Sequence, residues 1–591
     1  MKKTFLLLSL ALPLVAHAQE AAPVENPTVV APEVAPVPEV APAPEVAPVP
    51  EVAPVPEVAP VPEVAPAPTT PETGTIPTEN APTSPAQVAP VQVAPTSPVA
   101  SLDEVARTRE ATVAYNQGLA ALKKSDWDTA AQNFGRAAAF SPGDAGALSF
   151  LGYVRLQQKR WDDALNALLA AQDSGKNLDV RAQSQLLNNI GFAHWNKDEF
   201  PAAKTAFEAA LALDKDYFDA RYNLAFAYLS RDQFADALPH LRLLSAQNAK
   251  DSAIWDGMAE ALQQTGNLSG ALGAYKKALA IEPRNSNYRF KFALALVESD
   301  RRADAIAQLK QILDTTPNNA PALLQLGDLH LKSNHWGDAA TALKRYVALR
   351  ATDFTGRFNL GVAYDYAAKF DDALAQYAEA EKLRPDDAAT KNNVGRIYFK
   401  RDRLDEAVTK FNQALKIDPE FYDARINLAI VLAAQKNWDA SSAQWQTLAA
   451  TVEKRRTATT DASLKKSLAA RLATAYSGLA SNDLAQNKFK AAAADYKRLL
   501  VLNPGDLEAR SGLGRALYQA KDFVGAEATY REILTRDPKN ASAYNDLGVV
   551  LEAKKDRKGA LDAYSQALQL QPDHGEAQSN VARLKSKATL G

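Results

Sequence analysis

At 591 residues, with a formal net charge of −2 and no cysteine, the chain has no disulfide, no thiolate metal site and no thiol for a lipid anchor. The charge is unevenly spread. Residues 19–100 carry ten glutamates and no other charged side chain, whereas residues 101–591 carry 65 basic and 59 acidic groups, a formal +6 that is too mild and dispersed for a nucleic-acid footprint.

The first element in chain order is a secretory signal over residues 1–18. Lys2 and Lys3 precede an apolar core from Phe5 to Val15, and Ala16-His17-Ala18 forms a small-x-small cleavage site. The core is too short for a membrane span, so cleavage before Gln19 is expected. No later apolar run approaches the roughly 20 residues a membrane helix needs. The expected location is therefore the periplasm, the cell envelope or the exterior.

Residues 19–100 follow as a proline-rich segment with twenty-two prolines. From Pro32 to Ala67 the hexad Pro-Glu-Val-Ala-Pro-Val/Ala occurs six times. Proline removes backbone donors and pushes the preceding residue out of helical space, so this segment is expected to be a disordered, polyproline II-rich tail. At about 3.1 Å per residue it would reach roughly 250 Å fully extended. It reads as a spacer, or else as a ligand for a partner's aromatic groove or for the basic faces of the rest of the chain.

From residue 111 onward the chain repeats. A small anchor residue recurs as Gly118, Gly152, Gly191, Ala225, Ala259, Ala293, Gly327, Gly361, Gly395, Ala429, Ala480, Gly514 and Gly548. Ten of the twelve steps are 34 residues; the others are 39 and 51. Twelve residues after each anchor stands Ala (Ser441 in the tenth copy), and four further on a large apolar residue such as Phe134, Tyr377 or Trp445. The eighth copy shows the pattern. Phe354 to Ala368 and Ala373 to Leu383 read as two antiparallel helices. Gly361 and Ala373 let them approach, and Tyr377 fills the space beyond.

Leu-Gly-x-x-Tyr, then Ala-x-x-x-Tyr, then Pro, at this period, resembles the tetratricopeptide repeat. The resemblance covers residues 111 to 574 and implies an all-α, right-handed superhelical α-solenoid of about thirteen helix-turn-helix repeats. Proline closes eight copies; Lys215, Ala249 and Ala351 stand in its place in three others, which predicts softer turns there.

The register divides the chain into an N-terminal cap over 101–110, repeats 1–10 over 111–450, an insertion over 451–472, repeats 11–13 over 473–573 and a capping helix over 574–591. About five extra residues near Ser174 to Leu178 predict a longer turn. The insertion holds Lys454, Arg455, Arg456, Lys465, Lys466 and Arg471 against Glu453 and Asp461. Its centre, Thr457 to Ser463, reads as a loop between two overlong helices, giving a basic spur that is either simply solvated or a dock for an acidic partner.

In the family this chain resembles, the first helix of each repeat lines a concave groove. That places Asn116, Asn189, Asn223, Asn359, Asn393 and Asn427, each two residues before an anchor, as a file of amides for the backbone of an extended peptide, although asparagine is also a common residue there. Phe192, Trp195, Tyr222, Phe226, Phe290, Phe358 and Tyr366 interleave with the file, as groove surface or as packing between helices. Arg396 and Lys400 share a helix face and can hold a ligand carboxylate.

Catalysis finds little support. The chain has no Gly-x-Ser-x-Gly, no Gly-x4-Gly-Lys-Ser/Thr and no His-Glu-x-x-His, and the register leaves no globular segment unassigned. His330 and His335, five apart, are poorly spaced for two ligands on one helical face and read as ordinary repeat residues; no metal or cofactor is expected. The expected function is an exported, non-enzymatic scaffold that binds extended segments of envelope proteins. The alternative is a binder of cell-wall polymer or polysaccharide through the same aromatics and amides.

Overall fold

The computed structural model describes residues 103–174 and 178–589, together with a two-residue antiparallel pairing of Val29–Val30 with Pro56–Glu57. The signal, and the tail apart from that pairing, lie outside the described residues. From residue 103 onward the described residues form 27 helices. They group into two units, the first ending at Leu329 and the second starting at His330, within the helix Ala320–Lys332. Each unit is a run of helical hairpins, so the all-α repeat architecture stands.

The hairpin is built as the register demands. In the eighth copy Phe354–Tyr366 packs on Phe370–Leu383. A Cβ added to Gly361 would lie 2.7 Å from Tyr377 Cε1, so glycine permits the close approach. Ala373 and Tyr377 are fully buried at that crossing. Ser441, the one departure among the alanines, buries its hydroxyl by donating to Ala429 O at 2.7 Å. A buried hydroxyl with a partner costs little.

Seven residues after every anchor the backbone enters left-handed space. The residues are Ser125, Lys159, Asp198, Asp232, Gly266, Asp300, Asn334, Ala368, Asp402, Lys436, Asn487, Lys521 and Lys555, and only one is glycine. This conformation closes the first helix and reverses the chain. After Ala368 (φ 56°), for example, Lys369 N donates back to Tyr364 O at 2.8 Å. A Cβ in this region is strained, by about 1 kcal/mol. Ala368→Gly is therefore expected to raise the unfolding free energy by about 0.5–1 kcal/mol in denaturant titration, despite the added unfolded-state entropy; no gain would show that the turn is unstrained.

The turns lacking proline keep a side-chain bond that the proline turns also make. Arg425 donates to Pro419 O at 2.6 Å and Arg510 to Pro504 O at 2.8 Å, each from six residues on. The same bond survives where proline is absent: Arg221 to Lys215 O, Trp255 Nε1 to Ala249 O at 2.9 Å, and Arg357 Nε to Ala351 O at 3.1 Å. The acceptor is the backbone carbonyl, which every residue supplies.

The irregular segments are mostly helical. Glu104–Lys123 is one 20-residue helix, N-capped by Asp103, so residues 104–110 of the expected separate cap extend the first repeat helix; 101 and 102 lie outside the described residues. Part of the five-residue insertion lengthens Val180–Asn196 to 17 residues; residues 175–177 lie outside the described residues. The long insertion lengthens Trp438–Ala458 to 21 residues and Ala462–Ala485 to 24. Only 459–461 separate them, a shorter loop than 457–463, because Asp461 caps the second helix through Ser463 N and Leu464 N. Val452 and Leu468 bury the inner faces, while Lys454, Arg455, Lys465 and Lys466 stay exposed.

The final described helix, Gly575–Thr589, continues the register in the place of a first helix. Leu584 joins the apolar cluster of the preceding copies, and Asn580 donates to Asn545 Oδ1 at 3.1 Å. Nearby, burial lifts the Asp546 carboxyl to about 6, against the opposing pull of Arg515. Folding then favours its protonated form. That contribution is complete below the ordinary value of 3.8 and is lost as pH rises through about 6. Asp546→Asn should flatten this slope and raise stability at pH 7 by about 1–2 kcal/mol, discounted because the residue is only half-buried. Parallel pH–stability profiles would refute the assignment.

Candidate functional site

The asparagine file does not lie open. Asn223, Asn359, Asn393 and Asn427 are buried, Asn189 is half-buried and only Asn116 is exposed. The reason is the spacing of successive first helices, which sets the residue two before one anchor against the residue three before the previous anchor. Asn223 Nδ2 donates to Asn188 Oδ1 at 2.9 Å, and Asn427 Nδ2 to Asn392 Oδ1 at 2.9 Å. In the sixth copy the same place holds Lys291, whose ammonium lies 3.0 Å from Asp256 and 2.9 Å from Glu260. These residues fasten neighbouring copies, and much of their bonding capacity is spent on each other.

The sequence revealed the file but not its partners. Asn188 and Asn392 lie outside the file, and the 35-residue separation linking them to Asn223 and Asn427 becomes meaningful once first helices are known to pack side by side. The Lys291 triad carries the same 35-residue signal. Burial alone would lower Lys291, but Asp256 and Glu260 outweigh it and hold the ammonium above its ordinary value; burial pushes Asp256 up.

The aromatics divide into two classes. Phe358 is 2% exposed and lies between Phe354 and Tyr377, so it belongs to the core. Phe192, Trp195, Tyr222, Phe226, Phe290 and Tyr366 remain half-buried. In the first unit Phe192 meets Trp195 edge-on at 6.1 Å, and Tyr222 stacks on Phe226 at 4.4 Å. In the second unit Tyr366 stacks on Trp336 at 4.5 Å, a partner that sequence reading passed over because it stands at the start of a second helix.

Around Tyr366 the structure gathers charge. The Arg396 guanidinium lies 5.6 Å and the Lys400 ammonium 5.7 Å from its ring centroid. Lys400 is already engaged, 3.0 Å from the buried carboxylate of Asp365. Asn393 Nδ2 donates to Tyr377 Oη at 3.4 Å in the same network, and burial together with Asp365 pushes the Tyr377 phenol far up. Two buried atoms here, Arg396 Nη1 and Asp365 Oδ2, have no hydrogen-bond partner; nor does Asn359 Oδ1. Such atoms cost about 1–3 kcal/mol each unless something meets them.

His330 and His335 are closer than their spacing implied. They do not share a helical face: His330 is near the end of one helix and His335 is the N-cap of the next, Trp336–Leu349. The tight turn folds His335 back, and the ring centroids lie 5.7 Å apart.

Two family models described as tetratricopeptide repeat match the chain, one over residues 115–177, 257–320, 358–420, 478–541 and 525–575, the other over 197–261, 296–355 and 403–456. The chain is 26% identical over 117 residues to BBSome complex member BBS4 of Xenopus tropicalis, which is 20% of this chain and 23% of that one; it thus spans about a quarter of that relative. Among solved structures it is similar to MamA (26% identity, 27% of this chain and 95% of that one, TM-score 0.27). It is also similar to YrrB, described as a TPR protein with an unusual peptide-binding site (21% identity, 34% and 96% coverage, TM-score 0.28). The family matches fall between residues 115 and 575 and together cover most of the chain: it belongs to the tetratricopeptide repeat family.

Proposed function

We propose that this chain is a non-catalytic scaffold, exported by its N-terminal signal, that holds extended segments of envelope proteins on the first-helix faces of its repeats. Family membership supports protein binding. The observation that carries the reading is the cluster of Tyr366, Arg396, Lys400 and Asp365. There a half-buried ring, stacked on Trp336, is flanked by the Arg396 and Lys400 cations. Phe192, Trp195, Tyr222 and Phe226 give the first unit an apolar surface of the same kind. Contacts spread along many repeats make affinity a sum of small terms, with the aromatics as its largest contributors. The proline-rich tail acts as a spacer.

The test is capture with the mature chain, comparing envelope protein extract with purified cell wall. Binding to protein that drops at least about tenfold in Tyr366→Ala, with melting unchanged, supports the proposal. Retention on cell wall alone would support the polysaccharide alternative and overturn it.

A further inference from the structure

Three register positions lie around the hairpin turn: three, eight and eleven residues after the anchor. In several copies their side chains meet. In the third copy His194 Nδ1 lies 2.6 Å from Glu199 Oε2, joining the first two positions. In the ninth, the Arg403 guanidinium sits 4.6 Å from the Tyr398 ring centroid and 2.7 Å from Glu406, joining all three. Arg301 and Asp304, 2.5 Å apart, join the last two in the sixth copy. The turn is thus a built meeting point whose chemistry is set by whichever residues occupy it.

In the seventh copy the occupants are His330, His335 and Asp338. One ligand atom from each lies within 4.8 Å of the others. All three belong to the second unit. We propose that this turn is a divalent transition-metal site, with zinc as its preferred ion. Two imidazole nitrogens and one carboxylate oxygen are the donor set of a borderline ion such as Zn2+, and too few oxygens for Ca2+ or Mg2+. Tetrahedral coordination at about 2.0–2.1 Å brings ligand atoms to roughly 3.3 Å from one another. His330 is 4% exposed and fixed, whereas His335 and Asp338 are exposed and free to close on it, leaving the fourth position to solvent.

The local backbone favours this use. His335 occupies an N-cap position yet its side chain makes no capping bond. Its backbone N–H donates to His330 O at 2.8 Å, which pins the two histidines across the turn. Asp338, in the first turn of the second helix, offsets the positive end of that helix, which alone would repel a cation. Trp336, next to His335, is the ring that stacks on Tyr366. Ion binding would tie the end of one helix to the start of the next and hold Trp336 in place.

The experiment uses tag-free full-length chain stripped with chelator and titrated with ZnCl2 by calorimetry, with MgCl2 as the contrasting arm. One Zn2+ per chain is expected, together with a rise in melting temperature and no response to Mg2+. His335→Ala and Asp338→Asn, both at exposed positions, should weaken Zn2+ binding at least about tenfold and abolish the thermal shift. His194→Ala, which removes the histidine of the third-copy turn, should leave binding unchanged. Absence of binding, or equal affinity in His335→Ala and Asp338→Asn, would overturn the site.

Discussion

Lys291→Met is expected to lower the unfolding free energy by about 2–3 kcal/mol at pH 7. The substitution strands two carboxylates, Asp256 and Glu260, that the ammonium now holds at 3.0 and 2.9 Å. Breaking a wholly buried pair costs about 3–5 kcal/mol; the Lys291 side chain is 38% exposed, so the smaller figure applies. Adding Asp256→Asn and Glu260→Gln should recover most of the loss, since the cost lies in the stranded charge rather than the missing attraction. Each copy contacts only its neighbours, so the damage should be local. Hydrogen exchange should rise in Ser252–Gln264 and Ser286–Glu298 before it rises elsewhere. A variant as stable as the parent would show that the triad is not a fastening.

The second large effect is steric. Gly548→Val should cost about 2–4 kcal/mol in the thirteenth copy, because a Cβ at Gly548 lies 2.5 Å from Tyr564 Cε1 and that ring is fully buried. Tyr564→Ala alone creates a cavity and is costly too. The double variant should lose much less than the sum, since each change relieves the other. Strict additivity in chemical denaturation would mean that the two positions do not meet.

Most of the hairpin was legible in the sequence because its determinants are local. Gly361, Ala373 and Tyr377 sit within one copy, and their sizes alone predict the crossing. The left-handed residue seven after each anchor left no trace, since Lys, Asp, Asn, Ser and Ala hold it more often than Gly. Contacts between copies were the harder part. The file of Asn223, Asn393 and Asn427 was visible, but its orientation depended on the pitch between neighbouring first helices, and that pitch buries it. The tight turn likewise converted the unpromising five-residue spacing of His330 and His335 into proximity. In both cases the residues are legible in the sequence and the geometry that gives them meaning is not.

In the proposed function the amide file fastens repeats while the half-buried aromatics meet the partner. A diazirine amino acid of about leucine size, placed in turn at Asn223, Phe226, Tyr366 and Asn393, separates these roles in cells expressing the chain. Only variants that keep the parental melting temperature are compared. The expected result is cross-linking to extended segments of envelope proteins from positions 226 and 366, and none from 223 and 393. Cross-links from the asparagine positions at equal or greater yield would contradict it.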